Sequence, residues 1–143
     1  MADNSQRAAI RVVVADDDDQ NARLLVRILE RGGFELIEWT TESAEVMPIC
    51  ERVHPDLLLL DVSMPSPNGF EILEEISRHN ALDPVVVILT GHEHPSIERK
   101  GIELGAAAVL GKTTSMDELL GELDGVLRVA GKLPERRERS RKW

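Results

Sequence analysis

The sequence predicts an α/β fold: a five-stranded parallel sheet with helices on both faces. Three observations carry this. Short runs of Val, Ile and Leu alternate with segments of helical period, which implies right-handed crossovers between parallel strands. The central runs, Leu57–Leu60 and Val85–Leu89, are apolar without alternating, as strands covered on both faces are. A length of 143 residues with 42% hydrophobic content suits a single domain with one real core.

Taken in order, Val12–Ala15, Phe34–Trp39, Leu57–Leu60, Val85–Leu89 and Ala107–Leu110 read as strands. Leu24, Leu25, Ile28 and Leu29 mark one face of a first helix. Val46, Met47, Cys50 and Val53 mark a second, and Phe70, Ile72, Leu73 and Ile76 a third. Ile97 to Leu104 is a weaker fourth, interrupted by Gly101. Met116, Leu119, Leu120, Leu123, Val126 and Leu127 recur at the spacing of a fifth, the clearest of the set. Gly131 and Pro134 end it. Residues 1–10 read as an N-terminal extension, 11–131 as the domain, and 132–143 as a basic tail or truncated linker.

The net charge is -9, and it is unevenly placed: residues 1–131 carry -13 and residues 132–143 carry +4. An acidic body argues against a dedicated nucleic-acid binder. The tail, with Lys132, Arg136, Arg137, Arg139, Arg141 and Lys142, reads as a linker or solvated end, and it lacks the apolar periodicity of a DNA-binding module. The single cysteine, Cys50, excludes an intrachain disulfide and a multi-Cys zinc site; it sits on an apolar helix face and reads as a core residue. No apolar run is long enough for a signal peptide or a membrane span, so the expectation is a cytoplasmic domain.

In an open parallel sheet, ligands gather beyond the carboxyl ends of the strands. The first strand runs into Asp16, Asp17, Asp18 and Asp19; the third ends in Asp61, the fourth in Thr90, and Lys112 follows the fifth. Trp39 and Thr40, after the second, suggest no chemistry, and Trp39 is expected to pack at the rim. Asp19 and, in part, Asp18 are expected to start the first helix, leaving Asp16 and Asp17 for function. Converging carboxylates repel one another, and a hard divalent cation such as Mg²⁺ relieves that. A carboxylate can also act as a nucleophile and form an acyl phosphate, whose added charge needs a cation, an ammonium and a hydroxyl donor. Lys112 and Thr90 supply the last two. The set reads as a phosphoryl-accepting site.

At this point the residues resemble the receiver domain of two-component response regulators, the CheY-like superfamily. Val12-Val-Val-Ala-Asp-Asp-Asp looks like the family's first strand and acidic pair. Pro55-Asp-Leu-Leu-Leu-Leu-Asp61, with Met64-Pro65 and Gly69, looks like its phosphoacceptor strand and loop. Val86-Val-Ile-Leu-Thr90-Gly-His and Gly105-Ala106 leading to Lys112 complete the match, which covers Arg11 to Ala130. The resemblance implies the flavodoxin-like strand order 2-1-3-4-5. It implies that Asp61 takes a phosphoryl group from the phosphohistidine of a sensor histidine kinase or a histidine phosphotransfer protein. It further implies Mg²⁺, with Mn²⁺ a substitute, held by Asp16, Asp17, Asp61 and the backbone carbonyl of Ser63. Thr90 and Lys112 would contact the phosphoryl group. A downstream protein target would dock on the fourth helix, fifth strand and fifth helix, and a homodimer stays open.

Departures from the family are specific. Thr113 stands where the family has Pro joined through a cis bond, and a cis bond without Pro costs about 3–4 kcal/mol. Val109 stands where an aromatic residue is common, and Asp19 where Pro is. Gly91 frees the loop after Thr90. Ser63 and His92 fall two residues after Asp61 and Thr90, where the family places groups that tune phosphoryl lifetime. The spacing of His54, His79 and His94 suggests loop or helix-end positions and no metal site.

The leading reading is therefore a phosphorylation-dependent switch with no output domain in this chain, either a stand-alone regulator or a receiver cut from a longer one, and not an enzyme beyond slow self-catalysed phosphotransfer and dephosphorylation. One alternative is a degenerate receiver acting as a constitutive protein-binding module. Another is a haloacid-dehalogenase-type phosphatase using Asp16 and Asp18, for which the chain has no room for a cap. A nucleotide-binding Rossmann domain is discarded, because the first turn is acidic where a glycine-rich phosphate cradle is needed.

Overall fold

The computed structural model describes residues 4–92 and 94–134. The basic residues Arg136, Arg137, Arg139, Arg141 and Lys142 of the predicted tail lie outside the described residues. Five parallel strands, β1 (Arg11–Ala15), β2 (Leu36–Thr40), β3 (Leu57–Asp61), β4 (Val85–Thr90) and β5 (Ala108–Gly111), form one sheet of order β2-β1-β3-β4-β5. This is the order the resemblance implied. The helices are α1 (Asn4–Arg7), α2 (Asp19–Arg31), α3 (Ser43–Val53), α4 (Gly69–Arg78), α5 (Pro95–Glu103) and α6 (Met116–Val129). The predicted fourth and fifth helices are thus α5 and α6, and the one-turn α1 was not expected.

The sheet divides the core in two because successive side chains of a strand point to opposite faces. Val12, Val14, Leu57, Leu59, Val87 and Leu89 pack under α2 and α6 with Leu29, Leu123 and Leu127. Val13, Ala15, Leu58, Leu60, Val86 and Ile88 pack under α3, α4 and α5 with Cys50, Ile72 and Ile76. The three central strands are buried along nearly their whole length, which is why their sequence runs apolar without alternation. Cys50 is fully buried as expected, and burial with the nearby Glu51 pushes its thiol up to about 12, an inert group.

Local chemistry sets the helix ends. Asp18, and not Asp19, caps α2, accepting hydrogen bonds from the Gln20 and Asn21 amides. Asp19 pairs instead with Arg23 one turn on. Asn68 and Glu71 form a reciprocal capping box at α4, and Ser115 caps α6. His54, His79 and His94 all stand at helix ends, His54 in the left-handed conformation with φ 52°.

Two expectations need correction. Phe34 is not in a strand: the turn after α2 delivers its ring into the core, 1% exposed, and β2 begins at Leu36. Gly101 does not interrupt the fourth predicted helix. It lets α5 lie against the sheet, where a Cβ would come within 2.9 Å of Ile88 Cδ1 and Val109 Cγ2.

The N-terminal segment is anchored rather than loose. Arg7, 3% exposed, donates from Nε and Nη2 to the two carboxylate oxygens of Asp124 on α6, at 3.0 and 2.7 Å. Its Nη1 donates to the carbonyl of Gly32 at 2.7 Å. Arg7 thereby ties α1 to α2 and α6. Replacing it leaves a buried carboxylate short of its main partner, and Arg7→Met is expected to lose about 3–5 kcal/mol in urea denaturation. A loss below about 1 kcal/mol, the range of surface pairs, would show that the pair is not a structural tie.

Candidate functional site

The rim is assembled by the register of the central strands. Ala15 pairs with Leu60, and Asp61 with Leu89, so Asp16, Asp61 and Thr90 leave the sheet side by side. Lys112 arrives from β5 and donates its backbone N–H to the Thr90 carbonyl at 2.8 Å. Asp16 and Asp61 are each 1% exposed and Thr90 2%, while Asp17 is exposed at the mouth. Carboxylate oxygens of Asp16, Asp17 and Asp61 all lie within 4.8 Å of one another.

Each buried carboxylate has one oxygen held by a backbone amide. The Asp18 N–H donates to Asp16 Oδ1 and the Ser63 N–H to Asp61 Oδ1, both at 2.9 Å. The other oxygens face Lys112, whose Nζ is 3.0 Å from Asp16 Oδ2 and 3.3 Å from Asp61 Oδ2. Neither Oδ2 receives an aligned hydrogen bond. Two buried carboxylate oxygens without aligned donors, with a third carboxylate beside them, are the donor set of a hard divalent cation. The residues present therefore fit Mg²⁺.

The electrostatics agree. Partial desolvation, followed by a hydrogen bond to Asp61 and repulsion from it, raises the Asp17 carboxyl above its usual value of 3.8. For Lys112, burial works against the charge, but the adjoining Asp16 and Asp61 outweigh it and raise the ammonium above 10.5. Among the described residues, the rim holds one ammonium against three carboxylates.

Other predicted residues take more local roles. The Thr90 hydroxyl donates to the His92 carbonyl at 3.1 Å and accepts from the His92 amide at 3.0 Å, so it is engaged within its own loop. Ser63 and His92 are exposed beside the rim. Trp39 is half-buried in the edge strand β2, beneath the Arg23 guanidinium. Asp18 caps α2, which leaves an Asp16–Asp18 catalytic pair without geometric support. Ser66–Pro67 is the only cis peptide bond among the described residues, and the chain after Lys112 turns instead through hydrogen bonds from the Thr114 amide and hydroxyl to the Gly111 carbonyl. Gly69 gains a physical reason: a Cβ there would lie 2.6 Å from the Asp61 carbonyl oxygen and 2.7 Å from Val62 Cα, both backbone. Only glycine lets α4 start this close to the acceptor strand.

The doubly wound sheet with an acidic carboxyl rim defines a CheY-like domain. Residues 12–124 match the response regulator receiver domain, and the chain belongs to that family. The response regulator MprA of Mycobacterium leprae is 30% identical over 119 residues, 83% of this chain and 51% of that protein. The alkaline phosphatase synthesis transcriptional regulatory protein PhoP of Bacillus subtilis is 29% identical over 118 residues, 82% of this chain and 48% of that one. The chain spans about half the length of these curated relatives. The chemotaxis protein CheY4 of Vibrio cholerae superposes with a TM-score of 0.76 at 24% identity, covering 82% of this chain and 98% of its own. A DNA-binding response regulator of the LuxR family from Staphylococcus aureus gives 0.75 at 27% identity, covering 82% and 98%. No helix among the described residues is long and apolar enough to cross a membrane.

The raised Asp17 fixes the sign of a pH effect. A carboxyl whose folded pKa is raised contributes stability below its unfolded value of 3.8 and loses it as pH rises through the folded value. At neutral pH without metal Asp17 is therefore a liability, and Asp17→Asn is expected to raise the melting temperature in EDTA. Mg²⁺ should raise the wild-type melting temperature by mass action, less so as pH falls toward the raised Asp17 value, and hardly at all in Asp17→Asn. Equal Mg²⁺ stabilisation of wild type and variant would remove Asp17 from the cation site.

Proposed function

We propose that the chain is a phosphorylation-dependent switch of a two-component system in which Asp61 accepts a phosphoryl group from a phosphohistidine. The observation that carries this is the trio of carboxylates within 4.8 Å, two of them buried and facing one lysine. The family supports the coarser statement, since response regulators are phosphorylated by histidine kinases. Asp16, Asp17, Asp61 and the Ser63 carbonyl would hold Mg²⁺ or Mn²⁺. When bound, such an ion neutralises charge on the rim and on the transferring group.

The chain's own groups do the rest. The Ser63 amide orients the Asp61 carboxylate, and Lys112 partly neutralises it and its neighbour Asp16. In the transfer an Asp61 oxygen bonds to phosphorus while the phosphorus–nitrogen bond of the donor breaks and the imidazole leaves with the electron pair. The acyl phosphate then presents three oxygens beside Lys112, with the Thr90 hydroxyl as the available neutral donor once it leaves His92. Exposed Ser63 and His92 flank the path of attacking water and set the lifetime of the intermediate. A downstream protein reads the state on α5, β5 and α6.

Intact mass after incubation with acetyl phosphate and Mg²⁺ tests this. Wild type is expected to gain one phosphoryl group, with no gain in Asp61→Asn or in EDTA. No gain in a folded wild type would overturn the acceptor reading and favour a constitutive binding module. His92→Ala is expected to change the dephosphorylation rate. An unchanged rate removes His92 from the mechanism.

A further inference from the structure

An open groove of about 530 Å³ runs along the second half of α6, at the end of the sheet away from the rim. Val85 and Ala107, at the amino ends of β4 and β5, and Val126 and Val129 on α6 give it apolar walls. Gly121 and Gly125 keep it open, because a Cβ on either would meet nothing within 4 Å. Val129 is 91% exposed, a large apolar group left in water. Glu122 lines the same groove, is exposed, and forms no ion pair among the described residues. Glu118, Glu122, Gly125 and Val129 follow one another along a single exposed face of α6.

The chain itself carries the complementary groups. Residues 135–143 lie outside the described residues and hold five bases against two acids, with Trp143 directly after Arg141 and Lys142. The other three aromatics are committed: Phe34 is buried, and Trp39 and Phe70 lie under Arg23 and Lys100. The reach is sufficient. Pro134 stands near Arg11 at the start of β1. Returning across the sheet to β5 takes about 14 Å, at three strand spacings. Following α6 back from Ala130 to Gly125 adds about 7.5 Å, whereas nine extended residues span about 30 Å. Charge selects the destination. The cavity nearest Pro134 is lined by Arg11 and Lys132, which already surround Asp56 and repel a basic segment. The α6 groove presents Glu122 and no cation among the described residues that line it.

We propose that residues 135–143 turn back along α6 and seat the Trp143 indole against Val126 and Val129, with Arg141 and Lys142 beside Glu122. A tryptophan so placed buries roughly 150–250 Å² and removes Val129 from water. The tether supplies an effective concentration of about millimolar, so a contact too weak to hold between separate molecules suffices. The inference uses no group of the rim and stands apart from the acceptor reading.

The test is NMR on the full ¹⁵N,¹³C-labelled chain, with the Trp39 indole as internal reference. Nuclear Overhauser contacts from the Trp143 indole to the Val126 and Val129 methyls are expected, independent of protein concentration. Trp143→Ala should shift amides confined to Val85, Ala107, Gly121, Glu122, Gly125, Val126 and Val129. Glu122→Lys should lower the ratio of docked to free tail about fivefold, since an exposed attraction becomes a repulsion. Gly125→Leu should abolish the contacts by filling the groove, and Gly125→Ala should weaken them if the larger variant does not fold. Absence of the contacts, shifts elsewhere in Trp143→Ala, unchanged docking in Glu122→Lys, or full docking in a folded Gly125→Leu would overturn the proposal. So would contacts that grow with concentration alongside a dimer in sedimentation, which would make the tail of a second copy the occupant. Contacts of Trp143 that form only with added anionic vesicles or duplex DNA would overturn it too, and place the tail on those surfaces instead.

Discussion

Crowded negative charge at one end of the sheet is the constraint around which the rest of the structure is arranged. Asp16, Asp17 and Asp61 lie within 4.8 Å of one another, and two of them are buried. At an effective dielectric of about 20, unit charges at that separation repel by about 3 kcal/mol per pair. The fold tolerates this because the backbone brings donors to the same place. The turn after β1 offers the Asp18 amide, the turn after β3 offers the Ser63 amide, and β5 delivers Lys112. Each donor depends on strand register, so a rigid sheet buried on both faces is what makes the rim possible.

The compensation is incomplete, and the incompleteness points to function. Among the described residues, one ammonium faces three carboxylates, and the Oδ2 atoms of Asp16 and Asp61 lack aligned hydrogen bonds. A site balanced within itself would have no use for a cation and no response to added charge. This one is short of positive charge, and phosphorylation would replace the single negative charge of Asp61 with about 1.5 to 2 negative charges spread over three phosphoryl oxygens. The neighbouring neutral donor, Thr90, is engaged only with its own loop, at His92. Loop bonds of that kind exchange at little net free energy, on the order of 1 kcal/mol each. A small electrostatic change at the rim is therefore large enough to compete with them.

Most of this was legible in the sequence because strand ends and chemistry coincide. Asp16, Asp61, Thr90 and Lys112 each follow an apolar run, and a parallel sheet brings such positions to one rim. Asp17 was legible as an acid but not as the exposed member of the trio. What could not be read has a common physical cause: it depends on approach in three dimensions. Gly101 looked like an interruption along the chain, whereas its role is set by Ile88 and Val109 on the sheet beneath. Phe34 sat next to a strand-like run, but the turn after α2 sends it into the core. The division of labour between Asp18 and Asp19 turns on cap geometry that four consecutive aspartates do not reveal. The Asn68–Glu71 spacing did contain a capping signal.

Arg7 and Asp124, 117 positions apart, carry no local signal at all, yet their pair clarifies the rim by contrast. Asp124 is as deeply buried as Asp16 and Asp61, at 1% exposure. It receives two direct hydrogen bonds from one guanidinium, whose third arm is held by Gly32. Bidentate guanidinium contact saturates a carboxylate geometrically as well as electrically. At the rim a single flexible ammonium is divided between two carboxylates and saturates neither. The same buried group is thus fully paired where it serves packing and left underpaired where it faces the strand ends. Burial is equal in the two places, so desolvation alone cannot distinguish them. The number and geometry of cationic donors can, and on that measure the rim is the one end of the sheet built to take up something more.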